Sequence, residues 1–323
     1  MMDKSRAFLR TLGLPGGDLH ALPTSEATFP GGAQFGVEIP TVNTFAAAKA
    51  LLRETQRLGV TVNRIDETLG AFRHTRAELL EYAALCRDSG AALTVSIGPR
   101  AAYDTSATRL SRQGAVIGYR LRGEEQLVRA LEDAKRVCDL GIRGLLVYDE
   151  GLLWVLSEAR KTGELPADTV LKASAHCGHG NGASFRLLEQ CGADSINPVR
   201  DLSLDMLCAL RASVSVPLDV HTDCPEGSGG FIRTYEAHRD GNAGAVSARS
   251  APARPRRGAR ARRRSGGSRM SERIETAALR DFSVSLCRAA GLSADDAALL
   301  TDSILFAECR GVTSHGLLRL PQY

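Results

Sequence analysis

Residues 241–269 read GNAGAVSARSAPARPRRGARARRRSGGSR, and they divide the chain into two separate folding problems. The segment holds nine Arg and no Lys, acid, aromatic, Leu, Ile or Phe. It has no large apolar side chain whose burial could offset the entropy of ordering its backbone, so a disordered linker is expected. Such an Arg/Ala/Gly/Ser/Pro tract also resembles out-of-frame translation of GC-rich DNA, which makes a frameshift or gene-model product the competing expectation. The formal net charge is +4, and removing these nine arginines leaves −5. The basic balance therefore belongs to the linker, which can bind RNA or DNA weakly and non-specifically by releasing counterions. The rest is mildly acidic and does not suggest a nucleic-acid-binding fold.

Four segments follow from this division: an N-terminal extension (1–34), a large α/β domain (35–240), the linker (241–269) and a short helical piece (270–323). The start MMDKSRAFLRTLGLPGG carries no apolar run of signal-peptide length, and no stretch approaches a membrane span. Eight cysteines are scattered without a CxxC pair, as in a cytoplasmic protein with reduced thiols.

Within 35–240, short β-rich apolar runs alternate with amphipathic stretches, which suits repeated βα units and a parallel sheet. Eight runs are candidates: 35–41, 60–66, 92–98, 115–121, 142–149, 170–176, 194–198 and 217–222. Eight such units close into a (β/α)₈ TIM-type barrel, here without a clear last helix. An open doubly wound sheet is the alternative, weakened because no GxGxxG follows the first strand.

Side chains alternate faces along a strand, and the outer face of a barrel packs under helices. The polar set should then point inward: Glu38, Thr94, Ser96, Arg120, Arg122, Lys172, Ser174, His176, Asn197, Asp219, His221 and Asp223. In the second strand, either Arg64 with Asp66 or Asn63 with Glu67 faces in. Two chemistries fit this ring. Glu38, His176, Asp219 and His221 could hold a divalent metal that activates water or a carbonyl. Alternatively, His221 with Asp223 could do acid–base work while Arg64 and Arg120 grip an anionic substrate near Asn197. A bland role stands beside each: Arg120 with Glu38 as a buried ion pair, the histidines as satisfied core residues, and Asp149-Glu150 as a helix N-cap.

The stretches FPGGAQFGVEIPTV, VNRIDETLG, LTVSIGPRAAYDTSA, GHGNGASFRLLEQCGADSINPVRDLSLDMLCALR and VPLDVHTDCPEGSGGFIRTYEA carry a likeness over roughly 22–238. This portion resembles the collagenase-like peptidase family (the U-32 class). The resemblance implies a TIM-type barrel and a hydrolase acting on a peptide or small molecule, without supplying a mechanism. The family's Cys-bearing signature does not stand in this sequence.

From Met270 a different pattern begins: a helix ending near Gly291, then a second helix with Ser293 as N-cap and acids in its first turn. The run LCRAAGLSADDAALLTDSILFAECRGVTSHGLLRLPQY resembles the amino-terminal piece of the malate/L-lactate dehydrogenase family, the non-classical NAD(P)-dependent 2-hydroxyacid oxidoreductases. The resemblance implies that His315 exchanges a proton with the substrate and that Arg319 holds its carboxylate. The family's NAD(P)-binding domain would follow Tyr323, so no dehydrogenase activity is expected of this piece. Three functions therefore stand: a U-32-like barrel hydrolase, a truncated oxidoreductase, and a non-catalytic fusion or damaged gene product.

Overall fold

The computed structural model describes residues 2–100, 119–222, 224, 247–248, 276–289 and 292–309. They fall into two units, the larger comprising residues 1–223 with 232–251, the smaller 224–231 with 252–323.

The larger unit is a partial TIM barrel. Its strands are β1 (Gly36–Pro40), β2 (Arg64–Glu67), β3 (Ala92–Ser96), β4 (Gly144–Val147), β5 (Val170–Ala173) and β6 (Ser195–Ile196). A two-residue β7 (Ser247–Ala248) lies beyond β1. The order is β6-β5-β4-β3-β2-β1-β7, and every pairing is parallel. A single parallel bridge from Ile196 to Leu218 adds a further rung beyond β6. After an N-terminal α1 (Met2–Thr11), helices alternate with the strands: α2 (Phe45–Arg57), α3 (Arg76–Asp88), α4 (Gly123–Asp139), α5 (Glu150–Thr162), α6 (Gly182–Gln190) and α7 (Leu204–Arg211).

Local chemistry starts and stops these helices. Thr75 and Glu78 form a reciprocal capping box at α3, and Asn181 accepts from the Ser184 amide at the start of α6. Asp149 accepts from the Leu152 amide at 2.9 Å, so its N-cap role is realised. Gly163 closes α5 with φ +85, a left-handed conformation that glycine adopts without strain.

The outer face of the sheet forms the core. Ile65, Val95, Leu145, Leu171 and Ile196 pack with Leu79, Val137, Leu156, Phe185 and Leu207 in one continuous cluster. Each of these is almost fully buried. At Gly144 an added Cβ would lie 2.6 Å from the Leu93 carbonyl oxygen, so β4 approaches β3 as closely as it does because no side chain intervenes.

Among the described residues, six of the eight expected runs form strands. β3 pairs directly with β4, with Thr94 opposite Gly144 and Ser96 opposite Leu146, so no described strand lies between them. Residues 115–118 lie outside the described set. Residues 119–121 are drawn over the carboxyl end instead: the Leu121 amide donates to Asp149, and Arg120 donates to the Tyr148 and Cys177 carbonyls. The run 217–222 contributes its rung at Leu218 only. The linker lies outside the described residues except for Ser247 and Ala248.

The smaller unit contains α8 (Thr276–Ala289) and α9 (Ala294–Cys309). Cys287 and Ala297 pack with Val284, Leu292 and Leu300, and Ser293 caps α9 by accepting from the Asp296 amide. No described helix is long and apolar enough to cross a membrane.

Candidate functional site at the carboxyl end of the barrel

The inner face of the sheet is ionic. Glu38 and Arg64 stand opposite each other on β1 and β2, and the Arg64 Nε donates to Glu38. The other arm of Arg64 donates to Asp219, just past the Leu218 rung. Lys172 crosses from β5 and donates to Glu38 and, at 2.7 Å, to Asp66 Oδ2. Its Nζ also lies 3.5 Å from Asp219. These contacts between β1, β2, β5 and the Leu218 rung show how far the sheet curls. Ser195 donates to Asp219 at 2.7 Å, and the Asn197 amide donates to the Asp219 carbonyl at 2.7 Å.

The group is three carboxyls against two cations, all out of water except for part of Arg64. Burial disfavours charge on each member, and the partners decide which members keep it. Burial is overcome at Glu38 by Lys172 and Arg64, which hold its carboxyl far below the usual range. Burial likewise opposes the charge on Lys172, but Asp219, Asp66 and Glu38 together hold its ammonium above the ordinary value. Asp66 goes the other way: burial and the neighbouring Glu38 carboxylate push it up to about 7 against the pull of Lys172 and Arg64. Asp66 thus keeps its proton below about pH 7.

Above this cluster a cavity of about 180 Å³ opens at the carboxyl ends of the strands. Asp66 and Lys172 form part of its wall, with Arg100, Arg200, Asn197 and His221 around them. His176, Tyr119 and Tyr148 build an aromatic side. The His176 and Tyr119 rings stack with centroids 4.2 Å apart, and Tyr119 stacks on Tyr148 at 5.1 Å. The buried Arg100 guanidinium lies over the Tyr148 ring, 3.9 Å from its centroid, a cation–π contact. Burial, with Arg200 and Arg100 nearby, lowers His176 to about 4, so its imidazole is neutral near pH 7.

Sequence reasoning and structure can now be compared residue by residue. His176, His221 and Asn197 share the cavity wall. Glu38, Arg64 and Asp219 belong to the ionic cluster below it, and Arg64 grips those two carboxylates. Arg120 does not pair with Glu38: it joins Glu150 at the rim, and Glu150 also meets the His179 Nε2 at 2.5 Å. Residues 119–121 follow the rim and not a barrel strand, which accounts for the difference. Among the described residues, no three His, Cys, Asp or Glu side chains gather to hold a metal ion. The carboxylates of the suggested set, Glu38 and Asp219, are instead engaged by Arg64 and Lys172. Cys177 is buried, which raises its thiol to about 12, a poor nucleophile. Asp223, His315 and Arg319 lie outside the described residues.

Arg100, Arg200, Tyr119 and Tyr148 complete the site beyond the residues singled out in the sequence, while Asp66 and Lys172, read there only as inward-facing, join its wall. Lys172 and Asp66 had a signal, an ionisable residue inside or at the end of an apolar strand. Arg100 and Arg200 follow the strand ends in SIGPR and INPVR.

No protein-family model matches the chain, and no curated protein sequence matches it. Among solved structures it is similar to the U32 peptidase Mk0906, at 16% identity and a TM-score of 0.42, over 68% of this chain and 78% of that one. It is also similar to 2,3-dimethylmalate lyase of the PEP mutase/isocitrate lyase superfamily, at 14% identity and a TM-score of 0.44, over 67% and 76% of the two chains. A third is the YdjI aldolase from Escherichia coli K12, at 14% identity and a TM-score of 0.41, over 68% and 75%.

Proposed function

We propose that the larger unit is an enzyme of the U-32 peptidase-like hydrolase type, cleaving an amide bond in a small peptide-like substrate at the carboxyl-end cavity. One observation carries this reading. Asp66, Lys172, His176, Asn197 and His221 reach a single cavity from four different strand ends. A barrel interior with a purely structural role is filled by branched aliphatic side chains, and barrel enzymes keep their chemistry at this face. The size of the cavity suits a short ligand or one terminal residue of a longer one. The neutral His176 ring offers a hydrogen-bond acceptor near pH 7, and His221 brings a second imidazole to the same wall. The sequence likeness over residues 22–238 points the same way.

A panel of di- to hexapeptides incubated with the full chain tests the reading by the appearance of new amino termini. Hydrolysis is expected, with a loss of about 100-fold or more in His221→Ala and His176→Ala, the usual scale for acid–base groups. Absence of cleavage across the panel, or cleavage that both variants retain in full, overturns it.

A further inference from the structure

We propose that the cavity recognises its substrate through one neutral, extended peptide residue, whose N–H donates to Asn197 Oδ1 and whose C=O accepts from the Ser174 hydroxyl. The inference deepens the hydrolase reading by naming the substrate class, and it rests on that reading only in taking this cavity as the site.

Three observations lead to it. First, the Asn197 side chain has a fixed orientation. It is 5% exposed, and its Nδ2 donates to the Asp219 carbonyl at 2.7 Å, which only the nitrogen end of the side-chain amide can do. Among the described residues, no donor reaches the Oδ1 end. Unlike the Asp66 Oδ1, which is sealed, this oxygen keeps accessible surface, and the space that Asn197 lines is the cavity. A nearly buried acceptor that faces a cavity without a donor is one that a ligand N–H can satisfy.

Second, a donor stands beside it. Ala173 pairs with Ile196, and the Asn197 backbone N–H donates to the Ala173 carbonyl at 2.9 Å, so Ser174 and Asn197 are neighbours at the carboxyl ends of β5 and β6. Ser174 is also 5% exposed and lines the same cavity. Its Oγ accepts from the His176 amide at 3.2 Å, and no described residue takes its hydroxyl proton. Adjacent strands lie about 4.8 Å apart. An extended peptide residue presents its N–H and C=O along one edge, which is how paired strands exchange two hydrogen bonds. Such a residue meets the acceptor and the donor together.

Third, the charge at this corner is already engaged. Lys172 precedes Ser174 by two positions on the same face, and its ammonium is held by Glu38, Asp66 and Asp219. A ligand carboxylate would set its lone pairs against Asn197 Oδ1. A ligand ammonium would add a second cation beside Lys172 and could not accept from Ser174. A neutral amide avoids both conflicts.

The probe is N-acetyl-L-alanine N,N-dimethylamide, whose single N–H and adjoining C=O belong to the alanine. Its counterpart is O-acetyl-L-lactic acid N,N-dimethylamide, in which an ester oxygen replaces that N–H without added bulk. Titration of each into the full chain, followed by ligand-observed NMR, reads the two affinities. The amide should bind at least tenfold more tightly than the ester, because the ester leaves Asn197 Oδ1 unpaired. Ser174→Ala should weaken the amide about tenfold and leave its preference over the ester in place, since that preference belongs to Asn197. Asn197→Leu, close in volume and without the acceptor, should reduce the preference to within about twofold. The wild-type measurement alone can overturn the proposal: no binding of the amide, or equal binding of amide and ester, does so. A preference that persists in Asn197→Leu, or full affinity in Ser174→Ala, overturns it as well. If the preference holds and no peptide is cleaved, the hydrolase reading falls and this one stands. Cleavage of the panel with amide and ester bound equally removes this one and leaves the hydrolase reading.

Discussion

The two faces of one sheet use opposite physics. Outward, β2 to β6 present Ile65, Val95, Leu145, Leu171 and Ile196 to the helices, and these side chains join one apolar core. Inward, the same strands and β1 present Glu38, Arg64, Asp66 and Lys172, which meet one another and Asp219. Burying apolar area stabilises a fold in proportion to the area removed from water. Burying five ionisable groups does not, because desolvation consumes most or all of what their attraction returns. The outer face therefore accounts for the stability of the barrel. The inner face is best understood through the cavity above it, where Asp66 and Lys172 emerge.

That contrast is broken most directly at Lys172. Lys172→Met removes a cation from beneath two nearly dry carboxyls and leaves Arg64 alone against three. Uncompensated buried charge costs about 3–5 kcal/mol, so a large drop in unfolding midpoint is expected at pH 8. The loss should shrink toward pH 5, where a second carboxyl can accept a proton. Denaturant unfolding at the two pH values checks this, and equal losses at both would show that the cluster is not held together by charge.

The outer face gives the next effect. Leu145 is fully buried on β4 in the apolar core. Leu145→Ala should cost about 2–5 kcal/mol through lost transfer and the cavity left behind. Unlike Lys172→Met, it should do so equally at pH 5 and pH 8. Chemical denaturation at both values separates the two mechanisms, since only one involves protons.

How much of this was legible in the sequence follows from the same two faces. The outer face was readable because alternation within VTVNRID, VLKASAH and VPLDVHT assigns apolar residues to one side, and helices must cover that side. The parity that placed Glu38, Lys172 and Asp219 inward was correct. Which charge would meet which partner was not readable. Arg64 reaches Asp219 across 155 positions of chain, a pairing set by curvature and not by spacing. Arg120 shows the same limit: it meets Glu150 and the Tyr148 and Cys177 carbonyls at the rim and not Glu38. In the smaller unit, Ser293 was legible as an N-cap because capping is decided within one helical turn.

The subtlest expected effect separates two titrations that oppose each other inside one cavity. Asp66 rises in the folded chain from 3.8 to about 7, so its contribution is fully present below pH 3.8 and fades as pH rises through 7. His176 falls from 6.5 to about 4, so its contribution is present above pH 6.5 and fades as pH drops through 4. Between pH 4.5 and 6.5 the folded chain holds a proton on Asp66 that the unfolded chain has largely released. Over the same window the unfolded chain holds one on His176 that the folded chain lacks. The two slopes cancel, and these groups leave wild-type stability nearly level there. Each variant should expose the other residue. In Asp66→Asn, stability should climb with pH across the window, at no more than about 1.4 kcal/mol per pH unit. In His176→Phe, which keeps a flat ring beside Tyr119 without a titrating nitrogen, it should decline with pH at a comparable rate. Thermal melts at half-unit steps measure both slopes. Parallel slopes in the two variants would mean that the proton on Asp66 is not where the inner face requires it, and the contrast between the two faces would lose its link to the cavity.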